Sequence, residues 1–498
     1  MQRISRSLLG VCTAAAIGAL AVLAISHFTS WGRDSQPTIS VSATPIQRDA
    51  RLGTSYSPVV KKAAPSVVNI FTTTFIKERP NPLRNDPFFR HFFGDQMGSG
   101  AHKEQNLGSG VIVSADGYIL TANHVVAEAD EIKVAVPGNK MEFTAKVVGK
   151  DQATDVAVLK ISANNLPAVT LADSDQIEVG DIVLALGNPF GVGQTVTMGI
   201  VSGLGRSGLG FNGYENFIQT DAAINPGNSG GALVDAEGRL IGINTAIYSR
   251  SGGNQGIGFA VPINMARTVL ERLIAGGKVV RGYLGVIPQD VDANLAQQFH
   301  LPSQNGALIG DVAPDSPAQK NGLKSGDVIL SVNGKEISDA NNLQLTIAQM
   351  LPGAKVTLKY FRNDAEKTSV ITLGELEGRN MAIEEQEVAQ DEVGRADMLD
   401  GVMVADINNQ VRQQLRIPPD VTGAFVTEVS RDSNAAEAGL RPNDLIIEIN
   451  RQPVSTAKAA VKICEGSRSG QLLVKVWRRF GNLGGTRYLT VDNTRHNK

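Results

Sequence analysis

A serine set among glycines and asparagines is the side chain in this sequence best suited to nucleophilic chemistry. It is Ser229, in the run Asn-Pro-Gly-Asn-Ser-Gly-Gly at 225–231. Gly227 can adopt backbone angles closed to other residues, so its N–H and those of Asn228 and Ser229 can point at one spot. The run therefore predicts a nucleophile whose own loop forms an oxyanion hole, although by itself it also fits an ordinary turn.

Two upstream residues could activate this serine. His124 follows the apolar strand 119–122 in a helical turn, and Asp155 directly precedes the apolar segment 156–161. A serine hydroxyl needs a base to take its proton, and the imidazole base needs a carboxylate to hold its tautomer. Taken alone, His124 also fits a buried core histidine, and Asp155 also fits a loop cap. Together, in the order His, Asp, Ser, they predict a catalytic triad.

The flanks of these residues resemble those of a known protein family. The similar blocks are Thr-Ala-Asn-His at 121–124, Thr-Asp-Val-Ala-Val-Leu-Lys at 154–160 and Gly-Asn-Ser-Gly-Gly at 227–231. They resemble the three catalytic blocks of the HtrA (Deg) serine proteases, and the similarity extends over residues 57–494. The resemblance implies a trypsin-like fold with His124 as general base, Asp155 as its orienting carboxylate and Ser229 as nucleophile.

The resemblance also implies where a substrate side chain would bind. In trypsin-like proteases the residue six positions before the nucleophile forms the floor of the primary pocket, and here it is Ala223. Because no acid stands there, we expect small or medium aliphatic side chains before the cleaved bond. The residues predicted to bind substrate are Ala223, Ile224, Thr245, Ala246, Ile247 and Tyr248.

Composition argues against several other classes of protein. Lys and Arg total 47 against 49 for Asp and Glu, so no strong field favours nucleic acid as a partner. The two cysteines, Cys12 and Cys464, lie far apart in the sequence and provide no disulfide framework. The histidines are scattered without metal-ligand spacing, and no nucleotide motif is present. We therefore expect neither a metal nor a cofactor.

The N-terminus carries an export segment. Arg3 and Arg6 precede the uncharged apolar run Leu8–Ile25. Its length fits both a cleaved signal peptide and a retained signal anchor over residues 1–26, and this choice stays open. Either way the remaining chain is expected in the periplasm, with membrane contact only through a retained anchor. Residues 27–56 are polar and predict a flexible tether.

Short apolar strands separated by Gly, Asn and Asp turns predict a mostly β domain over residues 57–275. By resemblance this is a trypsin-like double β-barrel with the triad between the barrels. An insertion at 77–106 contains four phenylalanines within Phe88–Phe93. It would pack either on its own domain or, as the resemblance implies, near the active site of a neighbouring subunit.

The C-terminal part contains an internal repeat. Gly306 and Gly423, Asp327 and Asp444, and Asn333 and Asn450 are each 117 residues apart. The shared pattern Gly-Leu-x-x-x-Asp-x-Ile-x-x-x-Asn resembles PDZ domains. We therefore expect two α+β PDZ domains, at 279–376 and 398–494, joined by an acidic linker at 377–397.

PDZ domains bind extended protein C-termini by strand addition and hold the carboxylate with backbone N–H groups. The predicted carboxylate loop of the first copy is Tyr283, Leu284, Gly285 and Val286. Arg281 nearby would add charge to it or lie solvated at the surface. In the second copy Met403 stands where the loop glycine is expected, so that copy would serve packing or assembly.

Together these features predict an exported, ATP-independent serine endopeptidase that degrades misfolded envelope proteins. Its expected partners are unfolded polypeptides and protein C-termini, and the resemblance implies a homotrimer or a larger homo-oligomer. Two other hypotheses remain. One is a chaperone-like cage whose triad is idle. The other is an anchored sensor protease that makes one regulatory cut, although such relatives look to have one PDZ domain and this chain has two.

Overall fold

A computed structural model provides the structure of the chain. It describes residues 37–42, 44, 55–75, 103–139, 141–188, 194–211, 213–247, 253–376, 396–399, 401–467, 470–480 and 483–493. The export segment, the Phe88–Phe93 insertion, Tyr248 and all but the last two residues of the predicted linker lie outside these ranges. Within them, no helix combines the length and the apolar character that crossing a bilayer requires.

The chain divides into two compact units. The first comprises 1–150, 156–204 and 218–277, and the second comprises 151–155, 205–217 and 278–498. The first unit holds the barrels predicted for the protease domain. Two short loops of that predicted domain, 151–155 and 205–217, belong with the second unit, which also contains both PDZ modules.

The first barrel is a closed sheet with the strand order β1-β2-β3-β6-β5-β4. Its elements are α1 (Ser57–Ala63), β1 (Val67–Phe75), β2 (Lys103–Ile112), β3 (Tyr118–Ala122), α2 (Asn123–Val126), β4 (Glu131–Ala135), β5 (Glu142–Asp151) and β6 (Val156–Ile161). Alternate residues of the strands point inward, as Ile132 and Val134 do on β4. They form an aliphatic core with Ile70, Ile119 and Leu159 that closes the barrel.

The second barrel has the order β10-β11-β12-β9-β8-β7. Its elements are β7 (Ile182–Gly187), β8 (Thr195–Arg206), β9 (Phe217–Thr220), β10 (Ala232–Asp235), β11 (Leu240–Ile247), β12 (Gly258–Pro262) and the helix α3 (Ile263–Gly276). Gly277 ends α3 in the left-handed conformation (φ 68°) and donates its N–H to the Leu273 carbonyl at 2.8 Å.

The first PDZ module is built on the sheet β14-β15-β16-β18-β19. Its elements are β13 (Gly282–Tyr283), β14 (Val286–Asp290), α4 (Ala293–Gln298), β15 (Ala307–Val312), α5 (Pro317–Lys320), β16 (Val328–Val332), β17 (Lys335–Glu336), α6 (Ala340–Ala348), β18 (Lys355–Arg362), β19 (Ala365–Thr372) and β20 (Gly374–Glu375). β13 pairs with β20 in a separate small sheet.

The second module repeats this plan with one additional strand in its main sheet, whose order is β21-β22-β23-β24-β26-β27. Its elements are β21 (Ala396–Leu399), β22 (Val402–Asp406), α7 (Asn409–Gln414), β23 (Ala424–Val429), α8 (Asn434–Glu437), β24 (Leu445–Ile449), β25 (Gln452–Pro453), α9 (Ala457–Gly466), β26 (Gln471–Phe480) and β27 (Leu483–Asp492). β21 begins inside the predicted linker, so the ordered module starts before residue 398. The mostly β fold class is confirmed.

Candidate active site

The loop that carries Ser229 connects β9 to β10 and packs against the first barrel. Gly230 has a φ of 81°, and a Cβ placed on it would lie 2.2 Å from both the Ser109 carbonyl oxygen and the Thr121 Oγ1. Such a contact excludes every side chain, so glycine is required here. The close approach sets the half-buried Ser229 beside the C-terminal end of β3, since the same Cβ would lie 3.0 Å from the Ala122 nitrogen.

Ser109 on β2 ties this loop to its neighbours through three hydrogen bonds. Its backbone N–H donates to the Ser229 carbonyl at 2.9 Å. Its hydroxyl donates to the Gly227 carbonyl at 2.7 Å and accepts the Asn188 N–H at 2.9 Å. Ser109 is fully buried. The sequence analysis missed this residue, and its only signal was its place between two glycines, Gly108 and Gly110.

Strand register places the other two predicted triad residues at one end of the first barrel. β3 and β6 are antiparallel, with Ala122 opposite Val156. His124 follows Ala122 by two residues and is exposed. Asp155 directly precedes Val156, is buried and has a φ of 58°, a conformation that Asp adopts more readily than most residues. The structure therefore brings His124 and Ser229 to the same strand end of the first barrel, and Asp155 is the residue before Val156 in the chain.

One of the three amides predicted to form an oxyanion hole is engaged inside the loop. Gly227 has a φ of 97°, the left-handed region that the motif anticipated. The Asn228 N–H, however, donates to the Asn225 carbonyl at 2.9 Å, which closes a turn inside the loop. Asn228 thus supports the loop instead of offering its amide to a substrate. Within the described residues, no backbone carbonyl accepts from Gly227 or Ser229, the two remaining predicted donors.

The residues predicted to bind substrate lie before and after the Ser229 loop in the sequence. The Ser229 hydroxyl donates to the Thr245 carbonyl at 3.2 Å. Thr245 lies at a bulge where the register of β11 on β12 shifts, a feature often found beside active sites. Ala223 and Ala246 are half-buried. The Ala223 carbonyl accepts the Thr197 hydroxyl at 2.8 Å, which fixes the backbone of the predicted pocket floor.

Two predicted pocket residues belong to the barrel core. Ile224 and Ile247 are 1% and 7% exposed and share one buried cluster with Val183 and Leu233. Their side chains therefore belong to the core of the second barrel, and the prediction that they bind substrate is not supported. A Cβ on Gly258 would lie 2.9 Å from the Ile224 Cδ1, so Gly258 is packed directly against that side chain. Tyr248 lies outside the described residues.

In the first PDZ module, the central residue of the predicted carboxylate loop has a left-handed backbone conformation that favours glycine. Gly285 has a φ of 85°, and a Cβ on it would lie 2.2 Å from the Ser316 Cβ. Its carbonyl accepts the Ala313 N–H at 2.9 Å. Leu284 is buried in the module core, while Tyr283 and Val286 are half-buried. The loop leads into β14, an edge strand of the described sheet.

The prediction that Met403 replaces the loop glycine of the second module is wrong. Gly401 occupies that position, with a φ of 75° and the Ser433 Cβ 3.2 Å from a Cβ placed on it. Its carbonyl accepts the Ser430 N–H at 2.7 Å, just as Gly285 accepts from Ala313. The loop glycine lies two residues before Met403. The second module therefore keeps a glycine in its carboxylate loop.

Arg281 is neither solvated nor part of the carboxylate loop. Its guanidinium donates to both carboxylate oxygens of Asp151, at 3.1 and 2.6 Å, and lies 4.5 Å from the centre of the Tyr214 ring. Burial is the main cause of the raised pKa of Tyr214. Asp151 begins the loop that ends at Asp155, so Arg281 anchors that loop within the second unit.

Comparisons with known proteins agree with this geometry. A trypsin-like peptidase domain matches residues 108–243, and PDZ domains match 282–373 and 425–478. A solved HtrA-type protease, AlgW with decapeptide, is 49% identical and has a TM-score of 0.54. That alignment covers 66% of this chain and all of that chain (100%).

Full-length relatives extend the similarity over nearly the whole chain. A probable periplasmic serine endoprotease DegP-like from Chlamydia muridarum is 39% identical, over 89% of this chain and 92% of that protein. Periplasmic serine endoprotease DegP from Escherichia coli is 38% identical, over 92% and 96% respectively. With the two barrels, the Gly-Asn-Ser-Gly-Gly loop and the paired PDZ modules, these matches identify a serine endopeptidase. The chain belongs to the HtrA (Deg) family of trypsin-like proteases with two PDZ domains.

Proposed function

We propose that Ser229, His124 and Asp155 form the catalytic triad of this endopeptidase. His124 takes the proton of the Ser229 hydroxyl, whose oxygen then attacks the carbonyl of a peptide bond. Asp155 holds the imidazole tautomer and stabilises the imidazolium that forms. The proton passes from His124 to the leaving amine, and water releases the acyl-enzyme by the same path. The observation that carries the proposal is the close packing of Gly230 against β3, which brings Ser229 to the strand end that precedes His124.

The negative charge that develops on the carbonyl oxygen requires donors that are already in place. We assign that role to the N–H groups of Gly227 and Ser229, since the Asn228 N–H is used inside the loop. The Ser109 hydroxyl holds the Gly227 carbonyl, which belongs to the Gly227–Asn228 peptide that lies between the two peptides carrying these donors. Removing one such donor typically costs on the order of 10²–10³ in rate, so this geometry matters for turnover.

Specificity for small or medium aliphatic residues follows from the pocket floor. Ala223 is half-buried and offers no charge to bind Lys or Arg. Aliphatic side chains are mostly buried in folded proteins and become exposed in unfolded ones. The enzyme therefore degrades misfolded or damaged envelope proteins in preference to folded ones. The same affinity for exposed apolar segments supports a chaperone activity beside proteolysis.

The hydrolysis itself consumes only water, and we propose that it proceeds without ATP. The relatives named periplasmic, together with the N-terminal export segment, support a periplasmic location. The first PDZ module captures protein C-termini through its Gly285 loop and the edge of β14. Family membership supports assembly into a homotrimer or a larger homo-oligomer.

The proposal is tested with reduced casein and a folded globular protein as substrates, in buffer without nucleotide. Ser229→Ala should abolish casein cleavage with little change in melting temperature, because one half-buried hydroxyl contributes little stability. Ser207→Ala, at an exposed serine, is the matched control and should retain full activity. Substantial casein cleavage by purified Ser229→Ala, or equal cleavage of the folded protein by wild type, would overturn the assignment.

A further inference from the structure

In both PDZ modules, an equivalent strand and helix border the groove where a peptide would add as a strand. In the first module α6 packs directly against the edge strand β14. The Asp290 carboxylate at the end of β14 accepts the Ala340 N–H at the start of α6, at 2.9 Å. Asp406 and Ala457 repeat this bond between β22 and α9 at 2.7 Å. The strand and helix that border the groove are therefore equivalent in both modules.

The groove of the second module contains a strand of its own chain. β21 pairs antiparallel with β22, with Ala396 opposite Val404, Asp397 opposite Met403 and Leu399 opposite Val402. The helix α9 packs more extensively against β21 than against β22. β21 therefore lies between β22 and α9, which is the place of an added peptide strand. In the first module the strand before the loop, β13, pairs with β20 instead and leaves β14 at the sheet edge.

β21 also has the direction and burial of a PDZ ligand. Because it runs antiparallel to β22, its last residue, Leu399, lies beside the Gly401 loop, where the carboxylate of a ligand would be held. Met398 and Leu399 are 3% and 4% exposed and share a buried cluster with Cys464 of α9. Asp397 between Ala396 and Met398 is exposed. Burying two such apolar side chains contributes roughly 1.5–3 kcal/mol each.

We propose that residues 396–399 are a built-in ligand that closes the peptide groove of the second PDZ module. External segments bind there only when β21 leaves, and they are extended C-termini that end in two apolar residues and a free carboxylate. A tethered ligand competes at an effective concentration on the order of millimolar, so the closed state excludes ordinary concentrations of free peptide. This inference goes beyond the proposed function and does not depend on the triad. Capture of C-termini is thereby restricted to the first module until the second is opened.

The experiment uses the full chain with Ser229→Ala, so that peptides are not cleaved, and follows amide hydrogen exchange by segment. The probe is the heptapeptide Val-Gly-Arg-Ala-Asp-Met-Leu, the sequence of residues 393–399, with a free carboxylate. The control probe ends in Ser-Ser. In the unaltered groove, residues 396–399 should be protected from exchange, and the probe should leave exchange at 401–406 unchanged.

Two variants open the groove by different routes. Met398→Ser with Leu399→Ser removes the buried side chains, while Asp397→Pro disrupts the strand without touching the core. Asp397→Ala is the matched control for the proline and should behave as wild type. Both opening variants should let the probe protect residues 401–406 with an apparent affinity at least about tenfold higher than wild type shows. Cys464 should also react faster with a thiol reagent, with Cys12 replaced by Ser in every protein compared.

Several outcomes would overturn the proposal. One is unprotected exchange at 396–399 in a chain whose residues 402–406 are protected. Another is equal protection of 401–406 by the probe with and without the opening substitutions. If the module is unfolded in the double serine variant, amide protection will be lost throughout 401–493. In that case the result with Asp397→Pro alone tests the proposal. Absence of probe binding to a folded Asp397→Pro protein refutes the built-in ligand.

Discussion

At the scale of single residues, Ser109 connects the nucleophile loop to the first barrel. One hydroxyl bridges Gly227 and Asn188, and the backbone of the same residue holds the Ser229 carbonyl. Thr121 on β3 completes the arrangement by donating its hydroxyl to the Ser109 carbonyl at 2.7 Å. Neither residue touches the reacting atoms. Their contribution is position, and a misplacement of about 1 Å in a reacting group can cost about 10²-fold in rate.

Replacing Ser109 with Ala should therefore lower kcat for a short peptide by about 10–100-fold, with a much smaller effect on KM. It should also lower the free energy of unfolding by about 1–3 kcal/mol, because the buried Asn188 N–H and the half-buried Gly227 carbonyl lose their partner. Ser114→Ala is the control. The buried Ser114 hydroxyl also accepts a backbone N–H, that of Tyr118 at 3.1 Å, but it does not bond to the nucleophile loop in the described residues. A similar stability loss with unchanged kcat in both variants would remove Ser109 from the positioning of the site.

The motifs predicted the residues of the proposed triad but not those that hold the Ser229 loop. Ser229, His124 and Asp155 have chemical types and flanks that are recognisable in the sequence alone. Ser109 is an ordinary serine until β2 brings it across to the loop between β9 and β10. The Asn228 amide was assigned to the oxyanion hole because adjacent N–H groups look equivalent in a sequence. Only its hydrogen bond to the Asn225 carbonyl distinguishes the Asn228 N–H from those of Gly227 and Ser229.

At the scale of elements, a buried ion pair repeats in both PDZ modules. Asp327 accepts two hydrogen bonds from Arg362 at 2.5 Å each, and Asp444 accepts two from Arg478 at 2.6 Å each. Both carboxylates are 1% exposed. The hydrogen bond to Asp327 is the main cause of the raised pKa of Arg362. The pair joins the turn before β16 to β18 in the first module and the turn before β24 to β26 in the second, which are neighbouring strands in each sheet.

Asp444→Ala should destabilise the second module by about 3–5 kcal/mol, because Arg478 would keep a buried charge without its partner. Fluorescence of Trp477, which is 3% exposed in that module, reports the transition in urea, with Trp31 replaced by Phe. Asp432→Ala, at an exposed position, should change the free energy of unfolding by less than about 0.5 kcal/mol. Equal urea midpoints for the two variants would contradict a structural role for the pair.

The internal repeat predicted both modules and the two aspartates, but it misplaced the second carboxylate loop. The 117-residue spacing holds from Gly306 to Asn333, whereas Gly285 and Gly401 are 116 apart. Met403 lies 118 residues after Gly285, so the prediction placed the loop glycine two residues too late. The residues before the loop glycine differ in type between the copies and give no means of finding the correct spacing. β21 was missed for a related reason. It follows an acidic stretch, and only pairing with β22 gives its short apolar end a strand partner.

At the scale of the whole molecule, each compact unit has its own core, and the second unit joins both PDZ modules. Tyr488 on β27 is 7% exposed and packs edge-on against Phe299 of the first module, with ring centres 5.2 Å apart. Its backbone exchanges two hydrogen bonds with the Gln289 side chain, at 2.8 and 3.0 Å. Tyr488 shares one buried cluster with Leu308 and Leu473, and Phe299 packs against that cluster. The modules are therefore expected to unfold together rather than independently.

Tyr488→Ala should uncouple the modules. Loss of a large buried aromatic side chain typically costs about 3–5 kcal/mol, and here the cost falls on the contact that joins them. Hydrogen exchange should accelerate at residues 286–290 of the first module as well as at 483–492, although the substitution lies only in the second. Tyr488→Phe keeps the ring and removes the hydroxyl, which lies 3.2 Å from the Ser325 Oγ, so it should cost only about 1 kcal/mol. Acceleration confined to the second module in Tyr488→Ala would mean that the two PDZ modules are stable separately.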